Sequence, residues 1–166
     1  MTENYIVING KRAELTEEQL KDLGIEVPKA NPFARCNKRE PLYFITARGT
    51  VEYGVEIQDH HCEQLYKTAN YCTDKGIMEQ RALHETLSRL LWRYSMEHDG
   101  DKITWKEDEK EKYMVYRHMV DNNFYVAQYL NCNHFETTFF YTRETAENAI
   151  KEVIEPFMKA NPNFKW

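Results

Sequence analysis

Glycine and proline are scarce in this chain, at 6 and 5 of 166 residues, which excludes collagen-like and low-complexity classes. No apolar run approaches the ~18 residues of a membrane-spanning helix, so no membrane partner is expected. The opening residues MTENYIVINGK hold no basic stretch followed by an apolar one, so no secretory leader is expected, and the cytoplasm is the expected compartment. A basic surplus is missing too. The net charge of −5 divides as −1 over residues 1–57 (8 basic, 9 acidic), −4 over 58–111 (8 and 12) and 0 over 112–166 (6 and 6). A domain that binds duplex DNA carries a strong cationic excess, so direct duplex binding is not expected. The acidic run EDEKEK at 107–112 is interrupted by two Lys and reads as a solvated loop rather than a DNA mimic.

Motifs with known chemistry are absent as well. The chain contains no G-x-G-x-x-G, no G-x-x-x-x-G-K-[ST], no G-x-S-x-G and no H-E-x-x-H. Its four cysteines, Cys36, Cys62, Cys72 and Cys132, include no C-x-x-C pair and read as reduced thiols buried as small hydrophobes. Ligand-type side chains gather in two places, His60, His61 and Cys62 in DHHCE at 59–63, and Cys132 with His134 in NCNHF. Neighbouring histidines point in different directions on a helix or a strand, so no tetrahedral set is fixed. Neither a metal nor another cofactor is expected. DHHCE also holds the ingredients of an activated thiol, but sequence neighbours seldom face one another, and the competing reading makes Asp59 a helix cap. No catalytic residue is assigned, and this cluster is the one enzymatic lead.

What is present suits one main domain. A chain of this length hides roughly 70% of its unfolded surface, so a core forms without staples. NYIVINGKRAEL has two strand-like runs about Asn9-Gly10, a strong hairpin signal because both residues tolerate positive φ. Thr16 and Gln19 form a capping box for TEEQLKDLG, which Gly24 stops. Residues 1–27 therefore read as a β-β-α module. Pro28, Pro32 and Pro41 mark 28–41 as a linker, and 42–166 is the main domain.

Within it, LYFIT and TVEYGVEI form a hairpin about Gly49. A long helix lies between Asp74 and His98, with Ile77, Leu83, Leu87, Leu90, Leu91 and Tyr94 on its core stripe, and Gly100 ends it. From Lys112 the period changes to two. KYMVYRHMV, FYVAQYLN and TTFFYT read as strands, with turns at 121–123 and 131–133. Thr142 caps a last helix whose stripe runs from Ala146 to Met158, with Pro156 inside it expected to kink it or start a new turn. The terminal PNFKW is expected to dock. Together these elements predict an α+β fold, a mostly antiparallel sheet with two amphipathic helices packed on one face, plus the small N-terminal module.

Nine of the 22 aromatic residues lie between Tyr113 and Tyr141, about twice an even share, which an antiparallel sheet with one aromatic face accounts for. Alternation places Tyr116 and His118 on one face of the first strand and Tyr125 and Tyr129 on one face of the second. These four form a candidate platform for a partner's side chain or a nucleotide base. Arg117 stands at its rim if the register is opposite.

The segments LYFITARGTVEYGVE, NYCTDKGIMEQRALHETLSRLLWRY and TRETAENAIKEVIEPFMKANPNFKW resemble a diffuse family of small accessory proteins encoded by phages and prophages of gut and Firmicute-like bacteria. The likeness covers about residues 41–166, and INGKRAELTEEQLKDLGI is similar to a separate phage-borne module. The resemblance carries no catalytic residue. It implies a non-enzymatic binding protein that antagonises host antiviral defence, by blocking a defence protein or sequestering its small nucleotide signal. A virion structural or assembly accessory is the alternative.

Overall fold

The computed structural model describes residues 5–8, 11–23, 31–102, 111–130 and 137–166. They divide into two compact units, Met1–Ala34 and Arg35–Trp166. In the first, β1 (Tyr5–Ile8) and β2 (Lys11–Glu14) pair antiparallel, Ile8 opposite Lys11, and α1 (Glu17–Asp22) follows. The capping box is present: Thr16 N–H donates to Gln19 Oε1 at 2.9 Å, and Gln19 N–H to Thr16 Oγ1 at 3.3 Å. The turn expected at Asn9-Gly10 and the stop expected at Gly24 lie outside the described residues.

The second unit is built on α3 (Lys75–Asp99). Asp74 caps it by accepting from Ile77 N–H at 3.0 Å, and Gly100, at φ +51°, ends it. Its buried stripe is Met78, Ala82, Leu87, Leu91 and Tyr94. Leu83 and Leu90 pack beside it, but Ile77 is exposed. The cap at Asp74 sets the helical phase so that Met78, one residue later, turns inward with Ile45, Cys72 and Ala82.

One hairpin, β3 (Pro41–Ile45) and β4 (Val51–Val55), lies at the N-terminal half of α3. Gly49 turns it at φ +81°, and a Cβ there would come within 3.2 Å of Thr86 Oγ1 on α3, so both the conformation and the close approach require glycine. The outer edge of β3 is closed by the Tyr43–Cys72 bridge and by the Asn70 amide, which pairs with both Ile45 N–H (2.8 Å) and Ile45 C=O (2.7 Å). Asp59 caps α2 (His60–Lys67) through Cys62 N–H at 2.8 Å, as the bland reading of DHHCE expects.

A second hairpin, β5 (Lys112–Arg117) and β6 (Phe124–Tyr129), packs Tyr113, Val115, Phe124 and Val126 onto the largest core cluster. That cluster joins Leu87, Leu91 and Tyr94 of α3 to Phe140, Phe164 and the closing helices. α4 (Arg143–Ala149) starts at Thr142, whose Oγ1 accepts from Thr145 N–H at 3.0 Å. A π-helical turn, Ile150–Ile154, leads into α5 (Glu155–Ala160), which carries Pro156 in its first turn. Pro156 has no N–H and its ring crowds the preceding turn, and it opens α5 directly after the widened turn, one of the two outcomes expected of it. The C-terminal tail docks as expected: Phe164 is buried, and Gln80 bonds both Asn163 C=O (2.9 Å) and Lys165 N–H (2.8 Å).

The α+β class holds, and its arrangement differs from the expected single sheet. The described residues form three separate two-stranded sheets. TTFFYT is no full strand: only Phe140 pairs, exchanging both backbone bonds with Tyr113 (2.9 and 2.7 Å). Its other edge is taken by α3, since Ser95 Oγ donates to Phe139 C=O at 2.7 Å and Asp99 accepts from Tyr141 N–H at 2.8 Å. Side chains of a helix thus satisfy backbone groups that a further strand would need. Arg35–Glu40, read as linker, is tied to the second unit through Arg35–Glu56 and through the Arg39 N–H to Glu56 C=O bond of 2.7 Å.

Candidate functional site

The register of the β5–β6 hairpin decides which aromatics reach solvent. Tyr116 stands opposite Tyr125, Met114 opposite Ala127 and Lys112 opposite Tyr129, while Val115–Val126 and Arg117–Phe124 make the other face. Because the second set packs on the core, Tyr116 and Tyr125 point outward, 38% and 41% exposed. Their rings lie 5.9 Å apart at 32°, and the His118 ring meets Tyr125 edge-on at 5.9 Å and 89°. Tyr116, His118 and Tyr125 therefore come together as alternation predicts. Tyr129 shares the face but is half-buried and sits ~13 Å further along the strand from Tyr125, beside the buried Lys112. Arg117 belongs to the opposite set, and its Nε donates to Asn122 C=O at 3.4 Å.

Asp121 organises the cluster. Its carboxylate accepts from Tyr125 OH (2.6 Å), Asn123 N–H (3.0 Å) and His118 Nδ1 (3.1 Å). These bonds, the phenol's first, pull its pKa down to about 2. A carboxylate only accepts, so Nδ1 is the donor in the His118–Asp121 contact. The same contact raises the pKa of Tyr125. The turn closes through His118 N–H to Asn123 C=O (2.8 Å) and Asn122 N–H to His118 C=O (3.0 Å), with Asn122 at φ +60°.

That turn begins earlier than the strand pattern KYMVYRHMV suggests, because β5 stops at Arg117. Met119 and Val120 thus sit at the hairpin tip, 87% and 84% exposed. Sequence reasoning missed both, and it missed Asp121 as more than a turn residue. The available signal was two large apolar residues directly before Asp121-Asn122-Asn123. A rigid aromatic pair, a locked carboxylate and an apolar tip give a surface suited to a protein contact.

The other leads fare differently. Cys62 is buried, its thiol points at Val55 C=O (3.8 Å), and burial pushes its pKa up, which opposes thiolate chemistry. His61 lies edge-on to Phe44 at 5.9 Å. Cys132 and His134 lie outside the described residues, and among the described residues no group of three ligand-type side chains gathers. A network built on the buried Tyr71 and Glu56 takes in the half-buried Cys36 and the more exposed Arg35. Tyr71 OH donates to Glu56 Oε2 (3.0 Å), so it accepts from Cys36 N–H (3.1 Å) and from the Cys36 thiol (2.8 Å). Through these bonds the network ties the segment that begins at Arg35 to Glu56 and Tyr71. Comparison with protein-family models, with curated proteins and with solved structures finds no match to this chain.

Proposed function

We propose that this chain is a non-catalytic binding protein that docks on a partner protein through the face and tip of the β5–β6 hairpin. The observation that carries this reading is the exposure of Met119 and Val120 at the tip of the same hairpin whose outward face carries the Tyr116–Tyr125 pair. A protein partner suits the surface better than a nucleotide. The Asp121 carboxylate stays charged at neutral pH and repels phosphate, while the cation of Arg117 is turned to the other face. The resemblance to phage accessory proteins makes a host defence protein, met in the cytoplasm of the infected or lysogenic bacterium, the partner class to test.

The experiment is capture from host lysate with the full chain, compared with Tyr116→Ala/Tyr125→Ala and Met119→Ser/Val120→Ser. Both variants are expected to fold and to weaken a specific partner by at least about tenfold, the scale of interface hot spots. A partner held equally by wild type and both variants overturns the surface assignment. Recovery of the chain in purified virions with no cellular partner would favour the assembly role instead.

A further inference from the structure

The hairpin has a second face to offer, its outer edge. Tyr113 exchanges both backbone bonds with Phe140, so its N–H and C=O point away from β6. By the two-residue period of an antiparallel pair, those of Val115 and Arg117 point the same way. His118 confirms the phase, since its N–H bonds Asn123 across the hairpin. Continuing the Tyr113–Phe140 pairing would join Val115 to Thr138, yet among the described residues no hydrogen bond does so. The two segments separate, and a cavity of about 180 Å³ opens between them.

Its lining includes Leu87, Leu91, Phe140 and Trp166, with Met114 of β5 and with Ser88, Thr137 and Thr138. Apart from the His84 imidazole, no ionisable side chain lines it. Val115 belongs to the core-facing set of β5, and directly opposed residues of an antiparallel pair share a face. A residue that paired with Val115 from outside would therefore direct its side chain to the core-facing side of the hairpin, where Val115 lines this cavity. An apolar cavity of about 150 Å³ holds a benzene ring, so one large side chain fits.

We propose that the free edge of β5 is a strand-addition site, where an extended segment of a partner protein pairs with Val115 and Arg117 and sets one large uncharged side chain into the cavity. It rests on the reading of the chain as a protein-binding factor and names the mode of binding. The unpaired backbone supplies affinity, and the cavity, without formal charge, supplies selectivity against charged residues at one position.

The test is selection of displayed random heptapeptides against the full chain, followed by fluorescence-polarisation titration of the best peptide. Enriched peptides are expected to share one Leu, Met or Phe at a fixed position. N-methylation of that residue leaves the protein untouched and is expected to weaken binding about tenfold, as is filling the cavity by Thr138→Trp. Val115→Pro removes the edge donor, whose N–H makes no bond to β6, together with the packing of Val115 on the core cluster; it is expected to weaken binding too, and N-methylation of the peptide separates the two effects. Absence of any enriched peptide overturns strand addition, as does binding indifferent to N-methylation and to Thr138→Trp. Binding lost only in Tyr116→Ala/Tyr125→Ala overturns it while leaving the docking face intact. Slow hydrogen exchange at Val115 and Arg117 in the free chain, or a dimer abolished by Val115→Pro, shows the edge already occupied by this chain and also overturns it.

Discussion

Truncation of Glu56 to alanine is the sharpest test of how the segment Arg35–Glu40 is held. Glu56 is 0% exposed, and its carboxylate takes Gln58 N–H at 2.6 Å, Tyr71 OH at 3.0 Å, and Arg35 Nε and Nη2 at 3.3 and 3.4 Å. Burial by itself drives the carboxyl pKa up; the bonds from Arg35, Gln58 and Tyr71 outweigh it, and the net shift is downward. Glu56→Ala leaves the Tyr71 hydroxyl and Gln58 N–H without their acceptor and strands the guanidinium. Breaking a buried pair costs about 3–5 kcal/mol. The Arg35 side chain is 34% exposed and can take up water, so the expected loss is about 3 kcal/mol, the low end of that range. Tm should fall by roughly 10 °C. Glu56→Gln keeps an acceptor for Gln58 N–H and should cost about 1 kcal/mol. The assay is urea unfolding followed by tryptophan fluorescence at several pH values. Because the folded pKa lies below the unfolded one, the advantage of wild type over Glu56→Gln is full above about pH 4.3 and is lost as pH falls through the folded value. A loss below about 1 kcal/mol for Glu56→Ala, or a wild-type advantage over Glu56→Gln that persists unchanged in acid, would refute this account.

Other outcomes follow from the same contacts. The Asp121 carboxyl should titrate near 2 by NMR, so its hold on Tyr125 and His118 is intact above about pH 4 and is released as pH falls toward 2; an ordinary carboxylate midpoint would contradict the geometry. Asp121→Asn should lower the Tyr125 phenol pKa, read by ultraviolet titration, while leaving the far-ultraviolet spectrum unchanged. Phe140→Ala removes a ring that is 0% exposed at the centre of the largest cluster and should cost about 3–5 kcal/mol in denaturant unfolding. Deletion of residues 1–34 should leave Arg35–Trp166 with a single cooperative unfolding transition; a non-cooperative melt would show that the first unit completes the core.

Local chemistry was legible wherever a few adjacent residues settle it. The caps at Thr16, Asp59 and Thr142, the glycine turn at Gly49, the stop at Gly100 and the turn at 121–123 are contacts over two to four residues. The two-residue alternation likewise separated Tyr116 and Tyr125 from Val115 and Val126, because a strand has only two faces. Tyr129 was placed on the right face but away from the cluster, since alternation assigns a side and not a distance.

The sequence by itself determined the α+β class, the hairpins, the long helix and the caps at Thr16 and Thr142, all set by propensity and short-range hydrogen bonds. The tertiary structure alone decided that the strands stay as separate hairpins, that Ser95 and Asp99 on α3 close the edge a further strand would have used, and that β5 ends early enough to leave Met119 and Val120 at an exposed tip. It also decided that Arg35 belongs with Glu56, 21 residues away. These are pairings between groups distant in sequence. Many partners are compatible with each donor until packing of the whole chain selects one.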